Sequence, residues 1–461
     1  MPSAKTIGLF LGPLAAVCVG GGLALAGLGA PAAWTAAITA LCAAWWMLEP
    51  IPIPATSLIP FAAFPLTGVL THREVATAYG DTLILLFLGG FMLSAALEKS
   101  GGHRRLALIM VRMVGGRGGR RLVLGFMLAS AVLSMWITNT ATVLMLLPMV
   151  LAIVDESDDD ALAVPLLLGV AYAASIGGIG TPIGSPPNGI FMRVYEEATG
   201  VALGFADWMK IGLPVVLVFG PIAWLWLTRR LRTCSPIVLP RLGPWRAAEW
   251  RVMVVFTITA LLWMTRKDPA GGWTVLLGLE ADAVYDSTVA LLAAVILFLV
   301  PDGAGGRLLD WPTARRIPWG ILILFGGGIA IADAFTASGL SVALAGLLQD
   351  LTHWHVLGMM MAICLGVTFL TEVTSNTATA TVLMPLLASA AVAMQVEPAL
   401  LMAPAALSAS FAFMLPVATP PNAIVFGSKR LSVRTMAREG IVLNFIGVAV
   451  IATVCYLRFG R

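Results

Sequence analysis

The sequence predicts an all-α polytopic membrane protein built from one structural unit used twice. Three observations carry that prediction. First, 59% of the 461 residues are hydrophobic and only 11% are charged, with a mean hydropathy of +0.93; no soluble domain has this composition. Second, the apolar runs are continuous rather than alternating, which excludes a β-barrel. Third, a polar phrase recurs in apolar surroundings. Thr138-Asn139-Thr140-Ala141-Thr142 returns as Ser375-Asn376-Thr377-Ala378-Thr379, and Gly184-Ser185-Pro186-Pro187-Asn188 returns as Ala418-Thr419-Pro420-Pro421-Asn422. The offsets are 237 and 234 residues, and these phrases hold four of the chain's five asparagines.

The elements follow in order from apolar runs of about 15–20 residues. Residues 1–31 hold a first span at 7–29, read as retained rather than cleaved because more spans follow at once. The first unit, 32–230, has spans at 32–49, 55–70 and 82–98, then a short amphipathic arm at 102–114. A stretch at 121–154 is too long for one span and is interrupted by the first motif. A Gly/Pro-broken helix at 161–192 and a span at 211–228 complete the unit. The second unit, 251–461, repeats the plan with spans at 251–266, 285–300 and 319–336 and an arm at 340–350. An interrupted stretch at 354–391, a broken helix at 396–427 and a span at 441–457 follow. Leu88-Gly89-Gly90-Phe91 matches Phe325-Gly326-Gly327-Gly328, and Ser100-Gly101 matches Ser338-Gly339, so the repetition extends beyond the motifs.

Each unit counts five crossings plus one stretch that returns to its own side. An odd number turns the second unit upside down, giving an inverted-topology repeat. The interrupted stretches are expected to be re-entrant hairpins, since each arm has only about 14–18 residues and the tip is polar. With the amino terminus inside, 21 of the 28 basic residues fall inside. The seven outside are Arg73, Arg193, Lys210, Arg266, Lys267, Arg458 and Arg461, as the positive-inside rule asks. The acidic loop Asp155–Asp160 also falls inside, but acids carry little topological weight.

A tip of Asn, Thr and Ser beside a broken helix supplies hydroxyls, amides and freed carbonyls. Oxygen ligands of this kind suit a hard cation such as sodium. Helices restarting after the break turn partial positive charge toward an anion. Broken helices at matching positions in two halves point to a transporter's binding site. No lysine or arginine lies between Arg121 and Arg193 or between Arg316 and Lys429, so a dianion meets no fixed cation from these segments. Other features read as structural. The five cysteines (Cys18, Cys42, Cys234, Cys364, Cys455) show no paired spacing. His353 and His355 do not share a helix face, and His72 and His103 stand apart, so no metal centre is expected. Gly20–Gly22 and Gly326–Gly328 fit close helix packing rather than a phosphate loop. Glu372 has Met135 as its repeat counterpart, so this intramembrane acid is either functional or held by a structural partner.

On these residues the chain resembles the divalent anion/sodium symporter family, and within it the bacterial sodium-coupled dicarboxylate transporters. Ser134-Met135-Trp136-Ile137-Thr138-Asn139-Thr140-Ala141-Thr142, Thr371-Glu372-Val373-Thr374-Ser375-Asn376-Thr377-Ala378-Thr379 and Met414–Ile424 carry the likeness, which covers essentially the whole chain. The resemblance implies a homodimer with about eleven transmembrane helices plus two re-entrant hairpins, working as an elevator in the bacterial inner membrane. The carboxyl terminus would then be periplasmic. It implies one sodium site at Ser134, Thr138, Asn139 and Gly184, and another at Thr371, Thr374, Asn376 and Ala418. The substrate would meet Asn139, Thr140, Ser185, Pro186, Asn376, Thr377, Thr419 and Pro420. Thr138 stands where the family has serine, and Gly184-Ser185 where it has Gly-Thr; both changes keep a hydroxyl. The expected function is sodium-coupled symport of succinate, malate or fumarate, with no cofactor and with sodium as coupling ion. Citrate, sulfate and sodium-independent exchange remain open alternatives. A channel would need a continuous pore with selectivity rings. An enzyme would need a catalytic set, and no intramembrane Ser/His/Asp arrangement is present.

Overall fold

The computed structural model describes residues 4–115, 118–157, 160–231, 243–267, 271–280, 283–347 and 355–460. Of the positions singled out above, Arg117, Asp158, Asp159, Arg232, Cys234, Arg241, residues 348–350 of the second arm, His353, residue 354 and Arg461 lie outside the described residues. Every named element among the described residues is helical. Two antecedent helices, α1 (Ala4–Leu25) and α2 (Ala30–Leu48), pack on each other. The run at 55–70 is not one helix. It forms α3 (Ile53–Thr56) and α4 (Ile59–Thr67), because Pro60 has no amide hydrogen to donate back to Thr56. A short α5 (His72–Tyr79) opens with a capping box in which Thr71 and Glu74 satisfy each other's backbone amides.

Next come α6 (Thr82–Ser100), α7 (Gly102–Val114), α8 (Gly119–Ser134), α9 (Asn139–Glu156), α10 (Ala163–Gly178), α11 (Pro186–Thr199) and α12 (Phe205–Thr228). A bridging group, α13 (Ala247–Met264), α14 (Gly272–Leu276), α15 (Asp286–Leu299) and α16 (Trp311–Ala314), follows. The series then recurs as α17 (Trp319–Ala337), α18 (Leu340–Leu347), α19 (Val356–Thr371), α20 (Asn376–Ala393), α21 (Ala399–Ser408), α22 (Pro420–Gly427) and α23 (Val433–Phe459). Nine helical segments among the described residues are long and apolar enough to cross a membrane; Ile53–Thr67, Ala163–Gly178, Asp286–Leu299, Val356–Thr371 and Ala399–Ser408 are apolar but shorter.

The core lies where the two series meet. Residues Pro165–Gly178 of α10 and all of α21 are buried, as expected of helices apolar on every face. Glycine allows the close approaches. A Cβ on Gly177 would sit 2.1 Å from the Ala131 carbonyl oxygen, so α10 presses directly on α8. Gly212 and Gly440, on the last helix of each series, meet the Ile179 and Phe413 carbonyls in the same way, each at 2.1 Å from an added Cβ. The Gly326–Gly328 run packs against Tyr79, Ser57 and Thr381, whereas in the amino-terminal run only Gly20 meets a neighbour and Gly21 and Gly22 face open space. The packing between series is reciprocal: α11 lies on α20 while α9 lies on α22, and α10 touches α22 while α21 touches α11. Such swapped contacts are what two copies of one unit facing each other across a two-fold axis would make.

Candidate functional site

Each motif is a helix interruption. Residues 135–138 join α8 to α9, and residues 372–375 join α19 to α20. Residues 179–185 separate α10 from α11, and residues 409–419 separate α21 from α22; the Pro-Pro pairs restart both helices at positions that need no amide hydrogen. The four helices that restart, α9, α11, α20 and α22, all begin at the same cavity of about 420 Å3.

All eight expected substrate contacts line this cavity: Asn139, Thr140, Ser185, Pro186, Asn376, Thr377, Thr419 and Pro420. Thr138, Gly184, Thr374 and Ala418, expected at the cation sites, line it as well. Ser134 and Thr371 do not; they are fully buried beneath the tips. Beneath the first tip, the Asn139 amide and Ser134 Oγ are hydrogen-bonded. The same amide faces the carbonyl oxygens of Gly184 and Ala174 at 3.3 Å each. With its nitrogen turned to them it donates to both; with its oxygen turned to them, oxygens converge as around a cation. Beneath the second tip, Thr371 Oγ1 lies 2.6 Å from Asn376 Oδ1 and 3.0 Å from the Ala409 carbonyl. One hydroxyl proton serves two acceptors there, so oxygen is again in excess. Gly178 and Gly184 leave room for the first cluster: an added Cβ on Gly178 would sit 2.8 Å from Asn139 Oδ1.

The donors facing the cavity are neutral. Among the described residues the hydroxyls of Thr140, Ser375 and Thr377 have no hydrogen-bond partner. Thr138 and Thr419 cap their helices by accepting from Ala141 N and Asn422 N, both at 3.2 Å, while Ser185 Oγ pairs with Ser410 Oγ at 2.8 Å. Thr374 Oγ1 is engaged within its hairpin by Leu370 O at 2.8 Å and Thr379 Oγ1 at 2.7 Å.

The other two motif asparagines do something else. Asn188 is fully buried, and its Nδ2 donates to Gly178 O at 2.9 Å and Thr181 O at 2.7 Å, tying together the two edges of the break. Asn422 repeats this with Ala412 O and Leu415 O, both at 3.0 Å. Glu372 also has a structural partner set. Its carboxylate accepts from Met414 N at 2.8 Å, Leu415 N at 2.9 Å and Asn444 Nδ2 at 2.7 Å. In the first unit Thr181 Oγ1 bonds the Met135 carbonyl instead and accepts from Gly184 N at 3.2 Å. The polar group that pins the loop has moved: Met135 with Thr181 in one unit becomes Glu372 with Leu415 in the other.

Four residues that sequence reasoning did not select close the cavity: Met47, Glu49, Phe91 and Ile321, from the ends and faces of α2, α6 and α17. Glu49 is exposed and, among the described residues, is the only charged one of the lining. It caps α2 in the left-handed conformation, φ 46 and ψ 48, its amide donating to Trp45 O. Glycine is the usual residue there, and a side chain costs about 1–2 kcal/mol. A lone acid at the end of an apolar run was the one available signal. A second cavity of about 610 Å3 shares Phe91, Thr138, Thr140 and Ile321 with the first, and Glu98, Lys99 and Arg316 line it farther out. Lys99 is paired with Asp310 at 2.7 Å; Arg316 is exposed and has no ion-pair partner among the described residues.

The cavity lies where four restarted helices meet inside an apolar helical bundle, and the comparisons with known proteins give the class as a membrane transporter. Residues 43–403 match the model of the citrate transporter family. The sodium-dependent dicarboxylate transporter SdcS of Staphylococcus saprophyticus is 39% identical over 477 residues, covering 98% of this chain and 91% of the relative. SdcS of Staphylococcus aureus strain USA300 is 39% identical over 445 residues, covering 91% of this chain and 84% of the relative. The chain therefore belongs to the citrate transporter family, and the resemblance to divalent anion/sodium symporters is borne out. The YdaH transporter of Alcanivorax borkumensis shares the fold at TM-score 0.57 and 14% identity, covering 86% of this chain and 88% of that one.

Proposed function

We propose that this protein is a sodium-coupled symporter that imports C4-type dicarboxylates such as succinate, malate or fumarate. One observation carries the reading: a cavity that four helix amino termini face, floored by clusters of excess oxygen, has no cationic side chain in its lining among the described residues. Helix termini contribute only about 0.3–2 kcal/mol each, whereas an unpaired charge at membrane depth costs several kcal/mol. A dianion there needs cations brought in with it. The names of the 39% identical relatives support sodium and dicarboxylate as the pair.

In this reading one sodium ion sits among Ser134, Thr138, Asn139 and the Gly184 carbonyl, joined by the Ala174 carbonyl. A second sits among Thr371, Thr374, Asn376 and the Ala418 backbone, joined by the Ala409 carbonyl. The carboxylates meet Thr140, Ser375, Thr377 and the Asn376 amide, flanked by Ser185, Pro186, Thr419 and Pro420. The units run 32–230 and 251–461 and are inverted, with about eleven crossings and two re-entrant hairpins. α8, of 16 residues, is about 24 Å long at 1.5 Å per residue, short of the ~30 Å hydrocarbon core. The amino terminus is cytoplasmic, the carboxyl terminus is periplasmic, and the protein works as a homodimer. The tips and restarted helices move as an elevator past α2, α6 and α17.

Proteoliposome uptake of labelled succinate, with an inward sodium gradient or with choline, tests the function. Sodium-driven accumulation above equilibrium is expected, and equal uptake in the two salts overturns it. The family description favours citrate as a second substrate class; competition of succinate uptake by citrate separates the two.

A further inference from the structure

The part of the cavity lining that lies outside the motifs is negative where an anion is to bind. Among the described residues Glu49 is its only charged one, and the carboxyl end of α2, which carries partial negative charge, stands beside it at Leu48. No hydrogen bond or ion pair among the described residues engages the Glu49 side chain. Glu372, the other acid near the tips, is absorbed by two backbone amides and Asn444 and does not line the cavity. Lys99 and Arg316 belong to the adjoining chamber. The backbone at Glu49 is in the region that favours glycine, so local folding does not explain an acid there. Strained positions of this kind gather at functional sites. The lip is also held in place: Trp46 Nε1 donates to Ser57 Oγ at 3.0 Å, and the Tyr79 hydroxyl bonds the Ser57 carbonyl.

We propose that Glu49 is a coupling residue that repels an unaccompanied dianion from the cavity, so that substrate enters a sodium-loaded site and not an empty one. The proposal rests on the symport reading above. With both cation clusters empty, a dianion at the tips shares the cavity with a carboxylate and a nearby helix carboxyl end. With both filled, the added positive charge offsets that repulsion. The tips alone give affinity; Glu49 makes the affinity conditional on sodium, a specificity device that acts by penalising the wrong loading state.

The test measures succinate binding by calorimetry to the full-length protein in nanodiscs, across a sodium series balanced with choline. Wild type, Glu49→Gln, Glu49→Gly and Glu49→Asp are compared. In choline and in saturating sodium alike, Glu49→Gln and Glu49→Gly should bind succinate about threefold to tenfold more tightly than wild type, because removing one fixed charge changes the dianion's energy by the same amount in each loading state. Glu49→Asp should stay near wild type. Glu49→Gly suits the backbone, so its melting temperature should not fall and misfolding is excluded as the cause. Succinate affinity in Glu49→Gln equal to wild type, both in choline and in saturating sodium, overturns the proposal. So does abolished sodium binding in Glu49→Gln, which would make Glu49 a cation ligand; a modest weakening is the ordinary attraction of a nearby carboxylate for a cation. If wild type itself binds succinate equally in sodium and choline, the symport reading falls, and this proposal with it.

Discussion

Asparagine does two jobs in this chain, and the residue scale separates them. Asn139 and Asn376 turn their amides toward the cavity floor, while Asn188 and Asn422 close the breaks behind it. Replacing Asn139 or Asn376 by alanine should abolish uptake and leave the melting temperature close to wild type. Replacing Asn188 or Asn422 by leucine removes two buried hydrogen bonds and strands two carbonyls, a loss of about 2–4 kcal/mol, so melting itself should fall. Thermal unfolding and uptake measured on all four variants check the division; a stability loss in the first pair equal to that in the second would refute it. Glu372 offers a sharper case. Its carboxylate does for the second break what the Thr181 hydroxyl does for the first. Glu372→Met should leave the Met414 and Leu415 amides unsatisfied and lower both melting temperature and uptake. Adding Leu415→Thr copies the first unit's arrangement and should recover part of the lost stability. No recovery in the double variant would show that the two arrangements are not interchangeable.

At the scale of elements, the hairpins and broken helices work because each interruption lies where other helices cover it. Backbone freed from a helix survives at membrane depth only when buried in protein or lining a wet cavity. α10 and α21, buried almost throughout, supply that cover. In the inverted arrangement we propose, the turns after α9 and α20 face opposite sides. In a cysteine-free background, a cysteine at Ser157 should be labelled by an impermeant maleimide only from the cytoplasmic side, and one at Gln395 only from outside. Labelling of both from the same side would replace the inverted repeat with a parallel one.

For the whole molecule, the question is how the cavity moves relative to its wall. Arg193 on α11 pairs with Asp81 at 2.9 Å and lies 3.6 Å from Asp333, on the flank of α6 and α17. It therefore ties a helix that carries the site to helices that form the rest of the lining. Arg193→Gln should change the maximal uptake rate more than the half-saturating succinate concentration; a change in affinity alone would place Arg193 at the site instead. Coupling also belongs to this scale. If sodium supplies the missing positive charge, each ligand must raise the other's affinity by the same factor. Calorimetry of succinate binding in sodium and in choline, and of sodium binding with and without succinate, should give matching factors. Equal succinate affinity in both salts, at a pH where the substrate is doubly charged, would show that its charge is met some other way.

The repeat, the helical class and the cavity residues were legible because they are properties of composition and spacing. A motif duplicated at a fixed offset, with glycine and proline marking each break, places its own residues before any packing is known. All eight expected substrate contacts line one cavity for that reason. The rest of the lining was not legible. Met47, Glu49 and Ile321 lie outside every repeated phrase, and Phe91 belongs to one that carries no polar side chain. The run at 55–70 read as one span because hydropathy counts apolar side chains and does not weigh proline's missing amide. Burial of Ser134 and Thr371 beneath the tips, and the exchange of Thr181 for Glu372 as the group that pins a loop, depend on which helix lies behind each break. Those are facts of three-dimensional packing, in which a buried amide takes whichever acceptor a neighbouring helix brings within reach.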